Sequence, residues 1–402
     1  MNIKFKFILS FLIFTTSILQ AQLQNTTRGI YINNFKEIIG NPIAEDEMLS
    51  FVQDEGFNYL LLYNLYHIHT QMFDITNEGS ATPLIQFIEK AKTQYGIIEV
   101  GGVGEKYASF DKMTLYNEAV AQNPNQKIDV FHMEFEFWNR RLVEGYYCTT
   151  YLEKNGYPCT KTGAFDFYFE ELIQLEDLSN QINIKSETYI GNPSPTECDL
   201  IGNTLDRALV HYYRKSDVYN NGNSLYNFKK YRLEELAPEN GSLNIIPVFS
   251  SRSYHMGPWL LENAPEQAID TWWFGQNGFD ADSGDWKNHI NVEGYQWYRY
   301  TDYKYYVENS SFADLGNARI GGEKEEELLE VSKIEVFPNP ANDWISFSKK
   351  DELKRAIQIF DFTGKLVWEG SLNSSLDLEV GDWQKGMYIL KSSTLSYKFV
   401  LQ

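Results

Sequence analysis

Lys127-Ile128-Asp129-Val130-Phe131-His132-Met133-Glu134-Phe135-Glu136-Phe137-Trp138 is the stretch on which the reading of this chain turns. Within it His132, Glu134 and Glu136 alternate with Met133, Phe135 and Phe137. A period of two is the side-chain period of a β-strand, so the three polar groups share one face. Neighbouring carboxylates on that face lie about 6–7 Å apart at the backbone by strand rise. Two such groups in a partly dry site cannot both ionise cheaply, so one is expected to keep its proton near neutral pH, as a general acid requires. The plainer alternative is a polar layer inside a barrel, in which His132 and Glu134 satisfy one another.

Working outward, this stretch is the fourth of eight strand-like runs: Gly29–Asn34, Asn58–Tyr63, Gly96–Val100, Ile128–Phe137, Ile184–Gly191, Ala208–Tyr213, Ile245–Phe249 and Gly294–Tyr300. Between them lie amphipathic segments over Glu45–Asp54, Pro83–Gln94, Lys112–Gln122, Phe165–Asn180, Leu225–Leu236 and Glu266–Gly275. Their apolar residues recur at helical spacing, as in Leu84, Phe87, Ile88 and Ala91. Eight strands with helical crossovers in about 300 residues predict an α/β fold, a (β/α)8 TIM barrel over residues 22–318. An open doubly wound sheet is the rival, but no Gly-rich phosphate loop follows the first strand. In a barrel, the end of the fourth strand opens on the mouth where active sites are built.

Residues 319–331, with Gly321-Gly322 followed by Glu323-Lys324-Glu325-Glu326-Glu327, have no core of their own and read as an acidic linker, or as a surface helix of the barrel. Beyond it the pattern is all-β: Ile334–Phe337, Trp344–Phe347, Ile357–Phe360, Leu366–Gly370, Leu376–Val380, Met387–Ile389 and Lys398–Leu401, separated by Pro338-Asn339-Pro340, Thr363-Gly364-Lys365 and similar turns. Seven short strands over residues 332–402 predict a small immunoglobulin-like β-sandwich.

The 402 residues carry 35 Lys+Arg against 55 Asp+Glu, a net charge of −20. That balance argues against nucleic acid and anionic lipid as partners. Aromatic residues reach 15%, a composition suited both to cores and to clefts that stack on sugars. Lys4 and Lys6 followed by the apolar run Phe7–Leu19 and by Gln20-Ala21 read as a signal peptide over residues 1–21. Thirteen residues are too short to span a bilayer, and no later segment is long and apolar enough to do so, so an exported, water-soluble mature protein is expected. Export permits disulfides. Cys148 and Cys159 bracket a short loop with Gly156 and Pro158 to turn it, so a bridge is expected there with Cys198 free; three separate buried thiols are the alternative. No His/Cys spacing supports a metal site and no cofactor motif is present. Asp280-Ala281-Asp282-Ser283-Gly284-Asp285 looks like a calcium loop but lacks the closing Glu. Ser250, Ser251 and His211 do not assemble a nucleophile elbow, because no GxSxG is present.

Two resemblances add to this. Val336-Phe337-Pro338-Asn339-Pro340-Ala341-Asn342-Asp343 resembles the opening motif of the C-terminal sorting domain of the type IX secretion system of Bacteroidetes. The runs Ile357–Lys365 and Gly386–Leu390 resemble its later motifs in order and spacing. The resemblance implies that the secretion machinery is a partner, and that the cargo is released or attached to the surface after removal of this domain. It is silent on the cargo's chemistry.

Asp129-x-x-His132-x-Glu134-x-Glu136 resembles the DxxDxDxE signature of glycoside hydrolase family 18, chitinases and endo-β-N-acetylglucosaminidases on a (β/α)8 barrel. Glu99-Val100-Gly101-Gly102 sits where that family has SxGG, and Tyr212 and Trp297 fall where it places a catalytic Tyr and a Trp. The resemblance implies Glu136 as acid/base and Glu134 as the residue that orients the substrate's 2-acetamido group, whose carbonyl oxygen is the nucleophile. It implies Tyr212 as a donor to that oxygen and Trp297 as the floor of the subsite, with Asp129, His132 and Glu99 as further substrate-site residues. Core packing is the plain alternative for Tyr212 and Trp297. The chain departs from the family where His132 replaces a carboxylate, Glu134 replaces Asp and Glu99 replaces Ser. A retaining mechanism with two protein carboxylates would need a second one near the end of the seventh strand, where Ile245–Arg252 offers none; Glu187 is the other inward candidate. The function expected from these features is hydrolysis of N-acetylglucosamine-containing glycans. The alternatives are a non-catalytic glycan-binding barrel of the same ancestry and a hydrolase on an unrelated barrel.

Overall fold

The computed structural model describes residues 26–215, 224–278, 284–310, 334–338, 341–349, 355–361, 365–372, 375–392 and 396–401. Residues 1–21, expected to be a signal peptide, residues 319–331, expected to be a linker, the loop residues 280–283 and the turn residues 339–340 and 363–364 lie outside the described residues. The chain divides into two compact units. One takes Met1–Tyr213, Tyr231–Arg252 and Ala281–Lys304; the other takes Arg214–Lys230, Ser253–Asp280 and Tyr305–Gln402.

The first unit holds a closed parallel barrel. Its strands are β1 (Thr27–Ile32), β2 (Tyr59–Leu62), β3 (Glu99–Gly104), β4 (Val130–Met133), β5 (Lys185–Ile190), β6 (Arg207–His211), β7 (Leu243–Ser250), β8 (Ile290–Val292) and β9 (Gly294–Tyr298). Each of β1 to β7 pairs in parallel with the next, and β9 closes the ring between β7 and β1; β8 is a short addition to the start of β7. The (β/α)8 expectation therefore holds, with β9 as its eighth strand.

Two strand boundaries differ from the sequence reading. β3 runs over Glu99–Gly104 instead of Gly96–Val100. Its glycines are there because neighbours fill the space a side chain would need: a Cβ on Gly101 would stand 2.5 Å from Leu61 Cδ2, and one on Gly102 2.5 Å from Met113 Sδ. β4 stops at Met133, earlier than Phe137, although the alternation persists beyond it. Met133, Phe135 and Phe137 are fully buried on the outer face. Phe135 and Phe137 meet Phe165, Phe167 and Tyr168 of the helix Lys161–Ile182. The inner face of the barrel carries Tyr31, Tyr59, Leu61, Val103, Val130, Tyr189, Leu209, Ile246 and Val248, one residue in two along each strand.

Helices cover Pro42–Asp54, Thr82–Gln94, Tyr107–Ala119, Lys161–Ile182 and Glu266–Asn277, close to the expected segments. The segment expected over Leu225–Leu236 is helical only at Arg232–Leu236. A further helix, Pro195–Gly202, opens with a capping box of Ser194 and Glu197. No helix among the described residues is long and apolar enough to cross a membrane.

The second unit contains the all-β region. Its strands are β10 (Ile334–Phe337), β11 (Trp344–Lys349), β12 (Arg355–Asp361), β13 (Leu366–Leu372), β14 (Ser375–Glu379), β15 (Gly386–Ser392) and β16 (Ser396–Leu401). They form two antiparallel sheets, β10-β11-β14 and β13-β12-β15-β16. One shared core takes Ile345, Phe347 and Leu378 from the first sheet and Ile357, Ile359, Leu390 and Phe399 from the second.

Candidate active site

The barrel interior is charged at its N-terminal end. Arg207, the first residue of β6, is fully buried and points inward. Its Nε donates to Glu187 Oε2 at 2.5 Å, and its Nη1 donates to Glu99 Oε2 at 2.8 Å and to Glu293 Oε2 at 2.9 Å. Lys185 Nζ adds a 2.6 Å bond to Glu99 Oε1. A guanidinium taken fully out of water requires such partners. Burial alone would raise the Glu187 carboxyl, but Arg207, His132 and the Tyr59 hydroxyl bring it below the ordinary value. Glu99 is likewise held low by Arg207 and Lys185 against the effect of burial.

One layer up, His132 is fully buried. Its Nδ1 lies 2.6 Å from Glu187 Oε1 and its Nε2 lies 3.2 Å from the Tyr31 hydroxyl. The partners of His132 are therefore Glu187 and Tyr31, whereas the barrel-layer alternative had paired it with Glu134.

At the C-terminal mouth the pattern reverses. Glu134 continues the inner face just past β4, with its backbone N–H donating to Gly104 O at 2.9 Å. Its carboxylate accepts from the Tyr63 hydroxyl. Burial pushes this carboxyl up to about 8, the charges of Glu136 and Glu105 add to the rise, and the Tyr63 bond opposes it. Glu136, half-buried, accepts from Asn139 Nδ2 at 2.7 Å, and its backbone N–H donates to the Tyr147 hydroxyl at 3.1 Å.

Aromatic rings surround the pair. Tyr31 stands 5.6 Å from Tyr63 and 5.4 Å from Tyr298, centroid to centroid. Tyr298 is stacked at 5.7 Å on Tyr213, which lies 6.2 Å from Tyr189, itself 5.8 Å from Trp138. His211 joins this wall, stacked on Tyr213 at 4.1 Å with its Nδ1 2.8 Å from the Tyr189 hydroxyl. Burial holds the hydroxyls of Tyr31, Tyr63, Tyr189 and Tyr213 well above the ordinary tyrosine value, so at neutral pH they act as neutral donors and acceptors. The arrangement can hold a proton on Glu134 among these rings, with Glu134, Glu136, Tyr63, Tyr213 and Tyr298 each partly exposed.

The structure brings Glu134 and Glu136 together at the mouth and places His132 directly beneath them. Four other predicted residues stand elsewhere. Asp129 lies before the start of β4, accepting from Lys92 Nζ at 2.8 Å and from the Val100 N–H at 2.8 Å, at the end away from the mouth. Glu99 begins β3 and is consumed by the Arg207 cluster at that same end. Tyr212 is fully buried, but the inward residues of this segment are Arg207, Leu209, His211 and Tyr213, so Tyr212 points to the outer layer. Trp297 packs at 5.6 Å on Phe249 and 5.4 Å on Tyr303, again outside the barrel, while Tyr298 faces in. Sequence reasoning missed Tyr31, Tyr63, Tyr147 and Tyr213. Its own alternation rule, extended from Tyr59 through Leu61, would have found Tyr63.

Cys148 and Cys159 form a disulfide with a Cα–Cα distance of 5.1 Å, and Cys198 is a buried free thiol.

Residues 335–401 match the family model described as the secretion system C-terminal sorting domain. This domain directs type IX secretion, and the protein is secreted or attached to the cell surface. No curated protein matches the chain in sequence. Among solved structures, Bacteroides uniformis β-glucuronidase 2 aligns at 8% identity and a TM-score of 0.39, covering 94% of this chain and 46% of that one. A glycoside hydrolase family 5 protein from Bacteroides vulgatus aligns at 10% identity and a TM-score of 0.37, covering 88% and 85%. The Thermobaculum terrenum O-GlcNAc hydrolase aligns at 14% identity and a TM-score of 0.38, covering 73% and 59%. The chain thus spans about half the length of the β-glucuronidase it matches. The barrel assignment rests on the strand pairing above and not on these alignments.

Proposed function

We propose that the barrel is a glycoside hydrolase acting on N-acetylglucosamine-containing glycans by substrate-assisted, retaining hydrolysis, with Glu136 as acid/base. The observation that carries this reading is the Glu134–Glu136 pair at the mouth end of β4, inside a tyrosine wall where burial pushes the Glu134 carboxyl up to about 8. Glu136 protonates the glycosidic oxygen as the bond to the anomeric carbon breaks, and the acetamido oxygen of the same sugar closes on that carbon. Water then opens the cyclic intermediate, activated by Glu136, which regains its proton. Glu134 orients the acetamido group, and the proton resting on it is available to its same-face neighbour. Tyr213, inward and half-buried, takes the hydroxyl-donor role expected of Tyr212. The inward residues of β7, Ile246, Val248 and Ser250, carry no carboxylate, which favours the substrate's own nucleophile over a protein one. In this reading residues 22–318 are the cargo, 319–331 the linker and 332–402 the sorting domain removed on export.

One observation favours the second reading, a glycan-binding barrel without turnover. Both ring nitrogens of His132 are engaged by Glu187 and Tyr31, so His132 is not bonded to Glu134, which takes the Tyr63 hydroxyl instead. The test is incubation of the purified protein with chitin oligosaccharides and high-mannose glycopeptides, followed by mass spectrometry beside Glu136→Gln. Cleavage that vanishes in the variant is the expected result. Saturable binding by both proteins with no cleavage would replace the first reading with the second, and neither cleavage nor binding would remove both.

A further inference from the structure

We infer that Tyr147 is a positioning residue for Glu136, and that the Cys148–Cys159 disulfide holds Tyr147 in place. The inference rests on the role given to Glu136 above.

The β4 ladder ends at Met133, and the Glu134 N–H makes the last bond across to the β3 side. Glu136 therefore sits on irregular chain, where a backbone N–H needs a partner from elsewhere. The Tyr147 hydroxyl supplies it at 3.1 Å. The Tyr147 ring lies flat on Phe135, with centroids 4.0 Å apart and an interplanar angle of 13°. One side chain thus fixes both the ring before the acid and the amide of the acid itself. Tyr147 is only 3% exposed, so its geometry is set by packing.

What holds Tyr147 is the segment that follows it. Cys148–Leu152 is a π-helical turn, a form that recurs at functional sites as a local insertion. Its first residue is bonded to Cys159, 11 positions on. Cys159 immediately precedes Thr160, whose hydroxyl caps the helix Lys161–Ile182 by accepting from the Gly163 N–H at 3.1 Å. That helix lays Phe167 against Phe135 at 5.3 Å. The circuit from Glu136 through Tyr147, the disulfide and the helix returns to the residue beside Glu136. Opening the disulfide frees the loop between its two anchor points, and the Glu136 amide loses the Tyr147 hydroxyl as its acceptor.

The test compares wild type, Tyr147→Phe and the selectively reduced wild type of the full protein. Amide hydrogen exchange over residues 134–139 is read by mass spectrometry, alongside turnover on chitin oligosaccharides and high-mannose glycopeptides. Tyr147→Phe keeps the stacked ring and removes the acceptor. We expect exchange at the Glu136 amide to rise about tenfold in the variant and in the reduced protein, the size of one lost hydrogen bond. On a cleaved glycan, kcat should fall about tenfold with KM within twofold, because the substrate is still bound while the acid is misplaced. Unchanged exchange in both samples overturns the inference. Faster exchange with unchanged kcat also overturns it, since Tyr147 would then be structural. Faster exchange in a protein that never cleaves a glycan leaves Tyr147 in place and removes the hydrolase reading instead.

Discussion

The two ends of the barrel interior carry the same kind of residue and treat it in opposite ways. At the N-terminal end Glu187, buried, and Glu99, half-buried, lie against Arg207 and Lys185, and both carboxyls are held below the ordinary value. At the C-terminal mouth Glu134 is surrounded by tyrosines and other carboxylates and is pushed up to about 8. The layer that holds His132 separates Glu187 from Glu134. Burial acts the same way at both ends, and Arg207 and Lys185 reverse it for Glu187 and Glu99; Asp129, also at the N-terminal end, stays above its ordinary value because burial outweighs its pairing with Lys92. The N-terminal end uses its glutamates to hold the fold, and the mouth leaves one with a proton to give, where a barrel exposes its loops to substrate.

Removing the cation should collapse the difference, and this is the largest effect expected. Arg207→Met leaves Glu187 and Glu99 facing each other, and stability measured by denaturant midpoint should fall by about 3–5 kcal/mol. A loss under about 1 kcal/mol would show that the cluster is not what holds the N-terminal end together.

At the mouth, Glu134→Gln should stabilise, and only where pH permits. A folded-state value raised from 4.5 to about 8 means that the folded protein binds more protons than the unfolded chain between those pH values. Wild type therefore loses stability as pH rises through that window, and the amide variant does not. Thermal unfolding should place the variant about 2 kcal/mol above wild type at pH 9 and level with it at pH 4, a figure reduced for the partial exposure of the site. Equal melting behaviour at both pH values would contradict the raised carboxyl.

A smaller contrast lies within one strand segment. Tyr213→Phe should weaken glycan binding or turnover by about tenfold, one hydrogen bond's worth, while Tyr212→Phe leaves it within about twofold. Isothermal titration on both variants checks the assignment, and the reverse ranking would return the role to Tyr212.

How much of this was legible depended on how far each feature rested on periodicity alone. The C-terminal domain was readable strand by strand, because short alternating runs between turn residues leave few other folds. The barrel was readable because its strands recur between amphipathic helices. What failed was the assignment of face at strand ends. Tyr212 and Trp297 were each one residue out of step with the inward Tyr213 and Tyr298, and a period of two turns a one-residue slip into the opposite face. Asp129 and Glu99 failed for another reason. They stand at strand beginnings, and a chain whose strand limits are uncertain by two or three residues does not reveal which end of the barrel a residue occupies. The ion cluster that claims Glu99 depends on Arg207, a fully buried arginine at the start of β6. Nothing in the linear pattern separates such a residue from a surface cation. The glycines of β3 look like a loop until the Leu61 and Met113 side chains above them are seen.

The most direct test of the contrast between the two ends is an infrared titration of the protonated carboxyl stretch from pH 5 to pH 9, in wild type and in Glu134→Gln. The account predicts a protonated carboxyl that persists at pH 7, disappears with a midpoint near 8 and is absent from the variant. A wild-type spectrum without any protonated carboxyl at pH 7, or one that Glu134→Gln leaves unchanged, would contradict it.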